Sequence, residues 1–169
     1  MAGSMLRVSL LILALAAPAT IAAQEALMFN PPPDWERGNV EQVKDQLLME
    51  FVKKGEKVDS WTELLTVQQF RRSRGSPSPR QFYDQLKATR QARCPGLSQW
   101  QIVDEGRETV LYEWNTTGVC EGQPAQWELA RLIFGRNTGY RVAYTTRAQL
   151  TEETRATWTE WLRGLSMGR

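Results

Sequence analysis

Hydrophobic positions along this chain follow three rules in turn. Residues 8–21 are apolar on every side, broken only by small or helix-breaking residues such as Pro18 and Thr20. From Ala26 onward, short apolar stretches alternate with polar positions at the two-residue period of a strand, and after Ser78 and Thr151 the spacing becomes helical. Leu27, Met28 and Phe29 form a short strand, an edge or its exit, that stops where Pro31, Pro32 and Pro33 remove three backbone donors. Residues 46–53 set Leu47, Met49 and Phe51 against Leu48, Glu50 and Val52, which predicts a strand buried on both sides. Residues 61–70 predict a second strand, with Trp61, Leu65 and Val67 opposite Leu64 and Phe70, joined to the first as a hairpin across Gly55.

Residues 71–79, Arg-Arg-Ser-Arg-Gly-Ser-Pro-Ser-Pro, lack periodicity and read as a loop that delivers a helix. Ser78 as N-cap and Pro79 as first helical residue start it; Phe82, Tyr83, Leu86 and Thr89 recur at helical spacing to about residue 92; Cys94-Pro95-Gly96 ends it. Strands are predicted at 99–104, 108–116, 125–134 and 140–146, with Trp35 left in the Pro-rich loop near the start. A closing helix follows Thr151, with Glu152 and Glu153 in the first turn and Trp158, Trp161, Leu162 and Leu165 in one apolar stripe. The order β, β, β, α, four β, α is an α+β layout: a mostly antiparallel sheet with a mid-chain and a C-terminal helix packed on it.

The uncharged run behind Arg7 is too short for a membrane span of roughly 20 apolar residues and fits a secretory signal peptide over residues 1–23, cut after Ala22 or Ala23. Residues 24–169 then form a single domain, periplasmic or secreted, with no transmembrane segment after processing. Only Arg7 is lost with the leader, so 21 basic against 19 acidic residues become 20 against 19, and no global field attracts nucleic acid or an acidic membrane. In an oxidising compartment the pair Cys94 and Cys120 is expected to form a disulfide, since a redox pair sits as Cys-x-x-Cys.

The opening Phe29-Asn30-Pro31-Pro32-Pro33-Asp34-Trp35, the strand pair around Gly55, the mid-chain helix and the hairpin before a terminal helix resemble small secreted domains of the Mog1/PsbP-like fold. That resemblance implies a binding or assembly factor and carries over no catalytic residues. A cystatin-like or NTF2-like curved sheet on a helix is the rival layout, although its long first helix is not evident.

The chain has no histidine, so Ser-His-Asp and Cys-His nucleophile systems and every His-containing metal site are excluded. Cysteines tied in a disulfide leave no thiolate metal site, and no Gly-rich phosphate loop is present; no cofactor or metal is expected. Carboxylate chemistry would have to draw on Asp104-Glu105, Glu152-Glu153, or Glu113 and Glu128 beside strand aromatics, where solvated or salt-bridged sheet positions are the expected role. Asn115-Thr116-Thr117 matches a glycosylation acceptor in a eukaryotic secretory path. Of the seven tryptophans, Trp61, Trp114, Trp158 and Trp161 are expected in the core and Trp35 partly exposed.

Arg71, Arg72, Arg74 and Arg80 form the one charge cluster and, with Trp35, are the candidate contacts for another envelope protein or an anionic surface; otherwise the run is a solvated connector. The leading expectation is an exported, non-enzymatic binding or assembly protein. A carrier with an apolar cavity between sheet and terminal helix, and a carboxylate hydrolase, are the alternatives. N-terminal sequencing of the exported protein should begin at Ala23 or Gln24, and an intact Met1 would overturn the leader assignment.

Overall fold

The structure, a computed structural model, describes residues 25–168; the leader expected over residues 1–23 and its expected cleavage site fall outside them. The elements run β1 (Ala26–Met28), β2 (Trp35–Val43), β3 (Gln46–Lys53), β4 (Glu63–Arg71), α1 (Pro79–Arg93), β5 (Ser98–Gly106), β6 (Thr109–Thr116), β7 (Gln126–Phe134), β8 (Thr138–Thr146), α2 (Glu152–Gly164) and β9 (Ser166–Gly168). Seven strands make one antiparallel sheet in the order β2-β3-β4-β8-β7-β6-β5. Two meanders, β2–β4 and β5–β8, thus meet at the β4–β8 pairing, with α1 as the connection between them. β1 pairs outside this sheet with β9, Ala26 opposite Gly168.

Alternation sorts the core into two layers. One face sends Leu65, Val67, Leu111, Leu129, Val142 and Tyr144 against Trp158, Leu162 and Leu165 at α2. The other sends Val110, Tyr112, Trp114, Ala130, Leu132 and Phe134 against α1 through Tyr83, with Phe82 and Leu86 packed beside it. The layout expected from the sequence, a mostly antiparallel α+β sheet with two helices on it, is the one observed. Ser78 caps α1 in a reciprocal capping box with Gln81, Pro79 follows it, and Cys94 ends the helix. At α2, Thr151 caps the first turn, while Arg131 reaches from β7 to donate to the carbonyls of Leu162, Arg163 and Leu165, satisfying the orphan acceptors of the last turn.

Three differences from the sequence reading have physical causes. Residues 35–43 are a nine-residue edge strand, not a loop. An edge strand is held on one side by the ladder to β3, so its polar sequence needs no buried face, and a register shift between Arg37 and Asn39 bends it. Trp61 precedes β4 and is half-buried, with the Arg147 guanidinium 3.9 Å over its ring. β9 is three residues long, too short to leave a periodic signal.

At the seam between the meanders, Gly139 sits opposite Phe70. A Cβ there would run into the Phe70 ring, which stacks on Phe82 at 5.0 Å and meets Phe134 edge-on at 5.3 Å. Glycine therefore lets the aromatic cluster close over the β4–β8 seam.

Cys94 and Cys120 are disulfide-bonded, with 5.7 Å between their Cα atoms. The bond ties the end of α1 to the connection between β6 and β7, and closing that loop restricts the unfolded chain by about 3.5 kcal/mol. Cys120→Ala should lower unfolding stability by about 3 kcal/mol in a denaturant titration, and non-reducing mass spectrometry should show a mass lower by two hydrogens than the reduced form. Quantitative thiol labelling of the folded protein would contradict it.

On the α1 face the buried Glu128 carboxylate accepts from Trp114 Nε1 at 2.5 Å, from the Arg141 guanidinium and from Thr145 Oγ1 at 3.3 Å, while Arg141 Nε donates to Tyr112 Oη at 2.9 Å. Burial works against the Arg141 charge, and the Glu128 carboxylate and Tyr112 oxygen together outweigh it, holding the guanidinium charged. Burial likewise pushes the Tyr112 phenol up to about 12. Glu128→Leu should cost about 3–5 kcal/mol because it strands a buried cation, whereas Glu128→Leu with Arg141→Met should recover most of it. Equal loss in the single and double variants would show that the pair is not coupled.

Candidate functional site

Turn chemistry gathers the cationic side chains at one end of the sheet. Arg71 is the last residue of β4, opposite Thr138, and Arg72 extends the pairing by one bond, its N–H donating to the Asn137 carbonyl at 2.8 Å. Next to them comes the two-residue turn between β2 and β3, where Lys44 takes a left-handed conformation, φ 55°. Together Lys44, Arg71 and Arg72 line a recess of about 540 Å³ with Gln42, Gln69 and Asn137, and Asp45 is the one carboxylate in its wall. Among the described residues neither Lys44, Arg71 nor Arg74 is ion-paired.

The four arginines singled out by their spacing play different parts. Arg71 and Arg74 are exposed. Arg72 is 14 % exposed: its guanidinium lies 4.4 Å over the Phe134 ring and donates to the Gly135 and Pro77 carbonyls, which fastens the loop to the β7–β8 turn. Its Nε is buried without a partner. Arg80, in the first turn of α1, is neutralised by Asp84 at 3.2 Å and Glu105 at 2.9 Å. The loop is therefore two exposed cations on a scaffold made by a third, and Lys44, 27 positions from Arg71, completes the set.

The same end already holds one anion. Backbone N–H groups of Arg136 and Asn137 each donate to the Glu25 carboxylate at 2.9 Å. Those amides hold Glu25 below the ordinary carboxylate range. The β7–β8 turn is thus a working carboxylate cradle, with Arg107 and Arg136 beside it.

Trp35 is not at this site and is not exposed. A turn that brings its N–H to the Pro32 carbonyl at 3.0 Å tucks the indole under the start of β2, 5 % exposed, edge-on to Trp158 at 5.6 Å. Lys53 lies 4.7 Å over its ring, bridging Asp34 and Glu63. Trp114 and Trp158 are buried as expected, and Trp161 is partly so.

The carboxylates do not converge. Glu113 faces α2, gripped by Arg155 at 2.7 and 3.0 Å, while Glu128 lies on the opposite face of the sheet. Asp104 and Glu105 pair with Arg163 and Arg80, and Glu152 and Glu153 begin α2. Asn115, in the acceptor pattern for glycosylation, is the last but one residue of β6, and its amide donates to Gln99 at 3.3 Å.

Lys44, Asn137 and Glu25 were not singled out from the sequence. Lys44-Asp45 is a short polar turn between alternating segments, a signal that becomes visible only once residues 35–43 are read as a strand. No protein-family model matches the sequence, and no curated protein matches it. Among the described residues no helix is long and apolar enough to cross a membrane.

Proposed function

We propose that this chain is an exported, non-enzymatic binding or assembly protein of the bacterial envelope, periplasmic or secreted, and that its partner is another envelope protein presenting an acidic surface. The observation that carries this reading is the recess framed by Lys44, Arg71 and Arg72 against a single carboxylate, beside a turn whose amides already grip the Glu25 carboxylate. Arginine forks and free ammonium groups in a concave site select carboxylates by charge and geometry together. The element order resembles that of the Mog1/PsbP-like fold, whose members are mostly binding or assembly factors without a shared active site. A carrier reading is less favoured because Trp158, Leu162, Tyr144 and Leu129 fill the space between α2 and the sheet. Glu113 and Glu128, on opposite faces, do not form the facing pair a carboxylate hydrolase requires.

The test separates docking residues from scaffold. A variant carrying Lys44→Gln, Arg71→Gln and Arg74→Gln should recover the acidic partner about tenfold less in affinity capture from the native envelope, with an unchanged melting temperature. Added salt should weaken the wild-type complex in the same direction. Arg72→Gln should instead cost about 1–3 kcal/mol of stability, since it leaves the Gly135 and Pro77 carbonyls without their donor. Undiminished capture by the triple variant would return the loop to the role of solvated connector.

A further inference from the structure

At the opposite end of the strands lies a second concavity of different chemistry. α2 packs on β7 and leaves the corner made by β5 and β6 uncovered on its own face. Strand register puts Gln99, Asn115 and Trp127 in one cross-strand row and Gln101 and Glu113 in the next. Arg155 and Gln149, at the start of α2, raise the facing wall, and the cleft they enclose measures about 420 Å³, within the range of about 300–1,000 Å³ of small-molecule sites.

Its lining is neutral where the other end is cationic. Glu113 and Arg155 cancel each other in a bidentate pair, and the remaining side chains of the two rows are the amides of Gln99, Gln101 and Asn115 and the half-buried indole of Trp127. Each amide offers two donors and an acceptor, the complement of vicinal hydroxyl groups that both donate and accept. An indole beside them covers the C–H face of a sugar ring while hydroxyls reach the amides. Asn115 adds an unmet requirement: its Oδ1 is buried with no hydrogen-bond donor. The exposed Gln99 is joined to Asn115 by one 3.3 Å bond from the Asn115 amide, and a ligand hydroxyl that reached Oδ1 would supply the missing proton.

We propose that this cleft is a binding subsite for one neutral hexose unit of a glycan, independent of the anionic partner at the basic end. Cation recognition does not fit, because the one carboxylate is already committed to Arg155, and an anion would find Arg155 committed in return.

The test is a titration of the isotope-labelled protein with the neutral oligosaccharides cellotetraose, maltotetraose and mannotetraose, each to about 10 mM, followed by NMR. At least one should give saturable shifts at the Trp127 indole and the Gln99, Gln101 and Asn115 side-chain amides. Trp127→Ala should weaken that affinity at least tenfold, as should Gln101→Leu, which keeps the size of the side chain and serves if Trp127→Ala fails to fold. The Lys44, Arg71 and Arg74 triple variant should bind the sugar like wild type, so the two sites fail separately. No saturable shift with any of the three sugars would overturn the proposal. Equal affinity in both cleft variants, or binding of N-acetyl-tetra-alanine but of none of the sugars, would do so as well.

Discussion

The pairing of β4 with β8 is the constraint on which the rest of the molecule depends. Each meander on its own is a run of hairpins with one exposed long edge, and each would leave apolar side chains without a second layer. Joined along nine register pairs, from Glu63 with Thr146 to Arg71 with Thr138, they place Leu65 beside Tyr144 and Val67 beside Val142 in the middle of the sheet. The same pairing carries the arginine-bearing loop to the β7–β8 turn, because Arg71 is the last residue in register and Arg72 bonds to Asn137 just beyond it. Folding energetics and site assembly thus share one seam, and the lack of a side chain at Gly139 is what lets aromatic rings cover it.

Much of this was legible in the chain, for reasons that can be named. Strands buried on a face show alternation because water rejects their apolar positions, and both helices carry caps with unambiguous chemistry in Ser78-Pro79 and Thr151-Glu152-Glu153. β2 was illegible because an edge strand is specified by its neighbour's hydrogen bonds more than by its own side chains. Trp35 followed from that: placed in a loop it looked available, whereas the strand it opens delivers it beneath Trp158. At the basic end, adjacency in sequence revealed Arg71, Arg72 and Arg74, yet it could not tell that the middle one is buried scaffold. Nor could it bring Lys44 across the strand ladder, since long-range register has no local signature.

A chain of almost zero net charge can still be electrostatically differentiated. Here Lys44, Arg71, Arg74 and Arg136 stand in or next to the connections at one end of the strands, while the far corner beside α2 holds uncharged amides and an internally cancelled ion pair. Because surface fields are screened within about 8–10 Å, these regions act as separate local environments rather than as one averaged surface. The buried Glu128–Arg141 pair contributes nothing to either, being closed among Trp114, Tyr112 and Thr145.

The pairing of β1 with β9 has a consequence for how the chain acquires its structure. Ala26 finds its partner at Gly168, and Glu25 is clamped by amides more than a hundred residues further on. A polypeptide emerging amino end first from a ribosome must therefore present residues 166–168 before β1 can find its partner. Until β8 appears, the leading meander also lacks its neighbour, so early segments emerge with an open edge and a half-finished core. Such high contact order slows folding, and it leaves the β4 edge open to strands of other chains until β8 has formed against it.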